Sequence, residues 1–304
     1  WTQVKNITST IMTEGGFKLF GSYAGLFEIA NEYNSEVILD AQYRPTSREH
    51  QMMYVFLPPT LGGYSQLSPL QELVDSYIML DGKTIKETGT SFDESHPYAN
   101  RDPRLKATVM YTGNSYTLAD GTEVVINCEK GEGKDGYGVG SDCSATGYYI
   151  KKYWDNTYRA TLYSGLNPIL IRYADILLMN AEALAELGEL DKTAWDATIK
   201  PIRDRAGFTL ASALEFPEGA SKDKLIEIVR NERRSELALE GHRHKDIIRW
   251  RIADNVLNGW CHGLKTNDVV GTDDGYVRVE NRAFNANKHY LWPIPQAERD
   301  LNGN

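Results

Sequence analysis

Leu225-Ile-Glu-Ile-Val-Arg-Asn-Glu-Arg-Arg-Ser-Glu-Leu-Ala-Leu-Glu-Gly-His-Arg-His-Lys-Asp-Ile-Ile-Arg-Trp250 is the stretch on which the reading of this chain turns. Ser221 is placed to cap a helix that runs to Gly241, and a further helix is expected from about His242 to Leu257. At about 100° per residue, Glu232, Glu236 and Glu240 share a face with Leu225, Ile228 and Val229. Three carboxylates on an apolar face suit a metal cluster, an acid/base pair or buried ion pairs. A di-iron helix needs Glu-x-x-His, whereas Leu239 and Arg243 stand three residues after Glu236 and Glu240. Arg230, Arg233, Arg234, Arg243, Arg249 and Arg251 crowd the same stretch, so bidentate guanidinium pairing is the simplest account. His242 and His244 lie two apart, on different sides of a helix, and read as surface or capping residues. No metal and no cofactor is expected.

Working outward, the flanking chain is also helical. Asn167-Pro168 reads as an N-cap with proline at the first helical position, and Gly188 as the stop of a helix through Ile169, Tyr173, Ile176, Leu177, Asn180, Ala181, Leu184 and Leu187. A second helix is expected from about Asp191 to Arg205, closed by Gly207 and bent or interrupted by Pro201. Short links between such helices suggest tetratricopeptide-type pairs, without that repeat's consensus. Near the start, Phe17, Phe20, Tyr23, Ala24, Phe27 and Ala30 also fall at helical spacing.

Residues 41–164 differ. Pro45, Pro58-Pro59, Gly62-Gly63, Pro97 and Pro103 punctuate them, and Lys106–Tyr111, Glu123–Ile126 and Tyr148–Tyr153 suit short strands. Glu129–Asp142 reads as a Gly-rich surface loop, since it lacks the phosphate-loop pattern and EF-hand spacing. The expected organisation is residues 1–40 as the end of an N-terminal helical portion, 41–164 as a loop-rich, Tyr-rich region, and 165–304 as paired helices with an extended C-terminal segment. Residues 41–304 would form one domain.

Composition removes several function classes. The 304 residues carry a net charge of −9, which disfavours nucleic acid and anionic membrane surfaces. No run approaches the ~20 apolar residues of a membrane-spanning helix. The chain opens Trp1-Thr2-Gln3-Val4 with no signal-peptide pattern, which reads as a processed or truncated start. Cys128, Cys143 and Cys261 match no zinc spacing; Cys128 and Cys143 flank the Gly-rich loop and either pair or remain free thiols.

The opening stretch closely resembles the signature helices of SusD/RagB proteins. Further blocks are similar to the same family in the same order: Glu72–Gly82, Asn100-Arg-Asp-Pro-Arg104, Ile171–Leu184, Ile202-Arg-Asp-Arg-Ala-Gly207 and Tyr290-Leu-Trp-Pro-Ile-Pro-Gln296. His244 stands where the family has an aromatic, and Pro201 is unusual ahead of its block. The resemblance implies a mainly α, SusD-like fold of helix pairs decorated by a loop-rich region with short β-strands. It implies the C-terminal part of a non-catalytic outer-membrane lipoprotein exposed on the cell surface. Such a receptor captures oligosaccharide for a TonB-dependent SusC-like channel, its lipid anchor lying in an N-terminal part outside this sequence. A peptide-binding RagB-like receptor and a glycan-cleaving enzyme with two carboxylates are the alternatives.

Thirteen of the eighteen tyrosines fall between residues 41 and 164. A flat aromatic at a groove edge buries the C–H face of a sugar ring while neighbouring polar groups bond its hydroxyls. Tyr43, Arg44, Tyr54 and Tyr64 precede Glu72 in a region similar to the family's variable ligand-facing loops, and Trp154, beside Asp155 and Asn156, is a second candidate. These five are the expected ligand-binding residues; Tyr148, Tyr149 and Tyr153 read as strand framework, and no catalytic residue is assigned.

Overall fold

The computed structural model describes residues 1–158, 162–266 and 273–302. It is mainly α, with helices bearing most of the core and four two-stranded antiparallel ladders placed between them. The helix Tyr173–Leu187 is central: it packs against Thr2–Glu14 on one side and Lys222–Glu236 on another. Ala174, Leu177, Leu178, Ala181, Trp195, Ile199, Ile202, Val229 and Leu237 form the resulting helical core. Asn180 continues that contact with polar groups, its amide donating to Thr8 Oγ1 at 2.9 Å.

A second core lies under the loop-rich half, built from Met53, Phe56, Leu57, Val74, Tyr77, Leu105, Met110, Tyr116, Ile126, Tyr148 and Tyr149. Tyrosine is tolerated there because most of the hydroxyls find a partner: Tyr148 donates to Gln71 at 2.5 Å, Tyr149 to the Asp135 carbonyl at 2.6 Å and Tyr116 to the Ile150 carbonyl at 2.6 Å, while the Tyr77 hydroxyl is buried without one. Tyr148, Tyr149 and Tyr153 are thus buried framework, as expected.

Several local expectations need correction. Residues 16–34 form no α-helix: Gly16 has φ 73°, and only the 3₁₀ turns Gly25–Phe27 and Ile29–Asn31 follow. Tyr23, Leu26 and Phe27 are still buried, against Tyr153, Leu166 and Ile169, so helical spacing here arose from an irregular segment pinned by its aromatics. The α-helix lies earlier, at Thr2–Glu14, in a Thr-rich stretch whose low helix propensity hid it.

Residues 169–172 extend as a strand paired with Val37–Asp40, and the helix begins only at Tyr173; Gly188, with φ 74°, ends it as expected. The second helix breaks at Thr198, so Pro201 sits in the first turn of Ile199–Ala206, where its missing N–H costs nothing. The signature helix stops at Glu236, and Leu239 (φ 63°) and Gly241 (φ 83°) turn the chain toward Arg243–Arg249. Lys106–Tyr111 is the end of the helix Pro103–Thr108 followed by the strand Val109–Met110.

The C-terminal block Tyr290–Gln296 leaves Trp292 85% exposed. Tyr290 docks, its hydroxyl donating to Asp254 at 2.6 Å beneath the Arg251 guanidinium, and Trp292 approaches the His244 ring at 6.1 Å. The three cysteines are free thiols; Cys143 Sγ donates to the Lys134 carbonyl instead of bridging to Cys128. No helix among the described residues is long and apolar enough to cross a membrane.

Candidate ligand-binding surface and the buried charge network

The acids of the signature stretch do not face an open cleft. Glu236 is fully buried and accepts from Arg104 Nη1 at 2.8 Å, from Arg172 Nη1 at 2.6 Å and from Arg205. Glu232 accepts from Arg203 Nε at 2.7 Å, and Arg104 Nη2 lies 2.7 Å from its other oxygen in a charge contact without hydrogen-bond alignment. Glu240 accepts from Arg172 Nε at 2.8 Å and Lys152 Nζ at 2.6 Å. Glu36, bound by Arg172 and Arg205, and Asp102, bound by Arg104, complete the cluster.

Five carboxylates thus meet five cations, so the cluster is neutral. Burial alone would raise the Glu236 carboxyl, but Arg205, Arg172 and Arg104 outweigh it and hold it far below the usual carboxylate range. Glu232 and Glu240 are lowered in the same way. Burial wins for Lys152, pulling its ammonium down to about 8 against the attraction of Glu240. Acids held ionised by adjoining cations are poor proton donors.

The guanidinium pairing read from the sequence is therefore present, but its partners differ. Arg230 pairs with Glu186, Arg233 with Asp175 and Asp246, and Arg249 with Glu182 and Asp246. The Glu232–Glu240 acids are met by Arg104, Arg172, Arg203, Arg205 and Lys152, which lie outside the opening stretch. Three of the resembling blocks, Asn100–Arg104, Ile171–Leu184 and Ile202–Gly207, supply those four arginines.

Tyr54 and Tyr64 form an aromatic pair on the surface, with ring centroids 4.3 Å apart and planes inclined by 30°. The Tyr64 hydroxyl close by raises the Tyr54 phenol. The turn that brings them together needs glycine: Gly62 has φ 85°, and a Cβ at Gly63 would lie 2.1 Å from the Leu57 carbonyl oxygen. Tyr64 N–H then donates to the Tyr54 carbonyl at 3.0 Å. Tyr43 stands edge-on to His50 at 4.7 Å, with the Arg48 guanidinium 5.6 Å from its ring centre. His50 opens the turn leading into Met52–Phe56, the helix that carries Tyr54, its Nδ1 accepting from the Met52 N–H at 3.3 Å.

Arg44 is exposed, and its backbone pairs with Arg48 across the tight turn at Thr46. Trp154 is more deeply engaged: its indole N–H donates to the Thr117 carbonyl at 2.9 Å and its ring meets Tyr116 edge-on at 5.3 Å. Among the described residues, Asp155 accepts from Ser164, whose backbone pairs with His50, which links the Trp154 segment to Tyr43; Tyr54 and Tyr64 pair with each other, and Trp154 stands apart from them. Sequence reasoning missed Arg48 and His50. A cation and an imidazole within seven residues of Tyr43 were the available signal.

A family model described as the SusD family matches residues 26–304. Over 317 aligned residues the chain is 26% identical to SusD-like protein P2 of Formosa agariphila, covering 100% of this chain and 57% of that protein. A crystal structure of a SusD-like carbohydrate binding protein from Bacteroides fragilis superposes with a TM-score of 0.84 at 31% identity, over 100% of this chain and 61% of that one. A second SusD-like protein from that species gives 0.76 at 25% identity, over 99% and 61%. The chain spans about three fifths of the length of these relatives. With a family match over most of its length and a fold shared along all of it, the chain belongs to the SusD family.

Proposed function

We propose that this chain is part of a non-catalytic, cell-surface receptor that captures oligosaccharide through the Tyr43, Arg44, Tyr54 and Tyr64 neighbourhood, with Trp154 as an outlying contact. The observation that carries the reading is the Tyr54–Tyr64 pair, whose second ring is 40% exposed and offers a flat apolar face to a sugar ring. The carbohydrate-binding description of the Bacteroides fragilis relative supports sugar over peptide as cargo. The neutral, buried pairing of Glu232, Glu236 and Glu240 supports binding over hydrolysis, because it withholds those carboxylates from substrate. Delivery to a TonB-dependent SusC-like channel, at an outer membrane reached through a lipid anchor outside this sequence, completes the proposal and rests on family membership.

Isothermal titration against a glycan panel tests it. Tyr54→Ala and Tyr64→Ala should each weaken binding about tenfold, as expected for removal of one ~1.4 kcal/mol aromatic contact. Tyr43→Ala and Trp154→Ala should have smaller effects. Unchanged affinity in all four variants removes the site assignment. Glycan hydrolysis abolished by a single Glu or Asp substitution would establish the enzyme instead, and binding of peptides alone would establish the RagB-like alternative.

A further inference from the structure

Arg234 and Arg243 of the signature stretch make no ion pair among the described residues. Arg230, Arg233 and Arg249 each meet a carboxylate at ion-pair distance, and Arg251 lies over Tyr290. Arg234 donates only to the backbone carbonyl of Glu72, and Arg243 approaches only the Trp250 ring, at 6.0 Å. Neither has an acidic side chain at ion-pair distance among the described residues. The nearby acids are already committed: Asp246 to Arg233 and Arg249, and the Glu72 carboxylate to His262 at 2.7 Å. Burial first, and then repulsion from Arg243, pulls the Arg234 guanidinium down to about 10.

Both arginines line a cavity of about 690 Å³; the adjoining one of about 550 Å³, which they also line, is balanced by Glu186, Asp223 and Glu227. The larger is walled by Leu237, Ile247 and Leu257, and its rim carries the exposed Trp260 ring and the exposed amide of Asn255. Glu72 and Asp246 also line the larger cavity, but Arg233, Arg234, Arg243 and Arg282 outnumber them, and two half-buried guanidinium groups that face it without an ion pair of their own among the described residues favour an added anion. In a chain of net charge −9, such a cationic recess is local and does not arise from the overall field.

We infer that this cleft is a second sugar site, selective for an anionic sugar residue whose carboxylate or sulfate is clamped between Arg234 and Arg243. The ring would lie toward Trp260, and Asn255 would bond a hydroxyl. The inference rests on the glycan-capture reading and narrows it to acidic glycans, on a surface formed by elements other than the Tyr54–Tyr64 turn.

The test titrates the whole chain with tetragalacturonate, with a sulfated galactan tetrasaccharide and with neutral cellotetraose. At least one anionic probe should bind more tightly than the neutral one, with an affinity that falls as salt rises. Arg243→Gln should weaken that binding at least tenfold, and Arg243→Lys should restore part of it, charge without the planar fork being only half the recognition. Arg234→Gln should act likewise; if it fails to fold, the Arg243 pair of variants carries the test alone. The stronger of the two anionic probes identifies carboxylate or sulfate as the group recognised. Neutral binding that depends on Tyr54 and Tyr64, without an anionic preference, overturns this inference and leaves glycan capture standing. Failure of all three sugars overturns both. Binding of hexaglutamate, but of no sugar, in an Arg243-dependent way overturns it in favour of a polypeptide partner.

Discussion

Glu236 shows how little freedom a residue has inside the charge network. Its two oxygens meet three guanidinium groups with no solvent at hand. Glu236→Gln would leave an excess positive charge buried, and loss of about 3–5 kcal/mol of stability is expected from urea titration. The acid dependence follows from the same geometry. The folded carboxyls of Glu232, Glu236 and Glu240 lie below their unfolded value of about 4.3, so they contribute stability above that pH, and it is lost as pH falls through the folded values. Asp102 opposes them, because burial raises its folded carboxyl. Three groups against one should make the thermal midpoint drop steadily below about pH 4.3, as scanning calorimetry would record. A midpoint flat to pH 3 would contradict the network. Lys152 has the opposite reach. Folded at about 8 and unfolded near 10.4, it sheds its proton first in the folded state, so its own contribution to stability rises with pH between those values.

At the scale of elements, close approach matters more than propensity. The strand Gly259–Lys265 lies against residues 146–147, with Leu264 N–H donating to the Thr146 carbonyl at 2.7 Å. A Cβ at Gly263 would lie 2.5 Å from that carbonyl oxygen, so Gly263→Ala must push the hairpin away. A loss of about 2 kcal/mol is expected, within the usual range for overpacking. Gly140→Ala is the control: nothing lies within 4 Å of its Cβ, and a small gain or no change is expected in the same denaturation assay. Equal effects at the two glycines would show that the hairpin does not rest where described. The helix Tyr173–Leu187 illustrates why its start was misread. Ile169–Arg172 is apolar enough to continue a helix, but extended geometry there pairs it with Val37–Asp40 and carries the Arg172 guanidinium into the core.

For the molecule as a whole, the network joins segments that are far apart in the chain: Glu36, Asp102 with Arg104, Lys152, Arg172, Arg203 with Arg205, and the signature acids. Because Arg104 and Lys152 also belong to the tyrosine-rich half, the two cores share these contacts. Unfolding should therefore be a single transition, with near-UV and far-UV dichroism coinciding, and Glu236→Gln should shift both by the same amount. Separated transitions would mean that the halves are energetically independent.

The residues alone determined that helices dominate the second half, that Gly188 and Gly207 end two of them, and that the signature carboxylates are neutralised by guanidinium. Those features are local: they follow from periodicity, caps and the cost of burying a charge unpaired. Which arginines do the neutralising was decided by the tertiary structure, because the choice depends on proximity in space. Arg104 reaches Glu236 across 132 positions of sequence, while the nearer Arg234 and Arg243 form no ion pair among the described residues. The candidate site divides in the same way. Tyrosine enrichment was visible in the sequence, but only the fold separated Tyr54 and Tyr64 on the surface from Tyr148 and Tyr149 in the core, since a tyrosine serves either place once its hydroxyl is bonded.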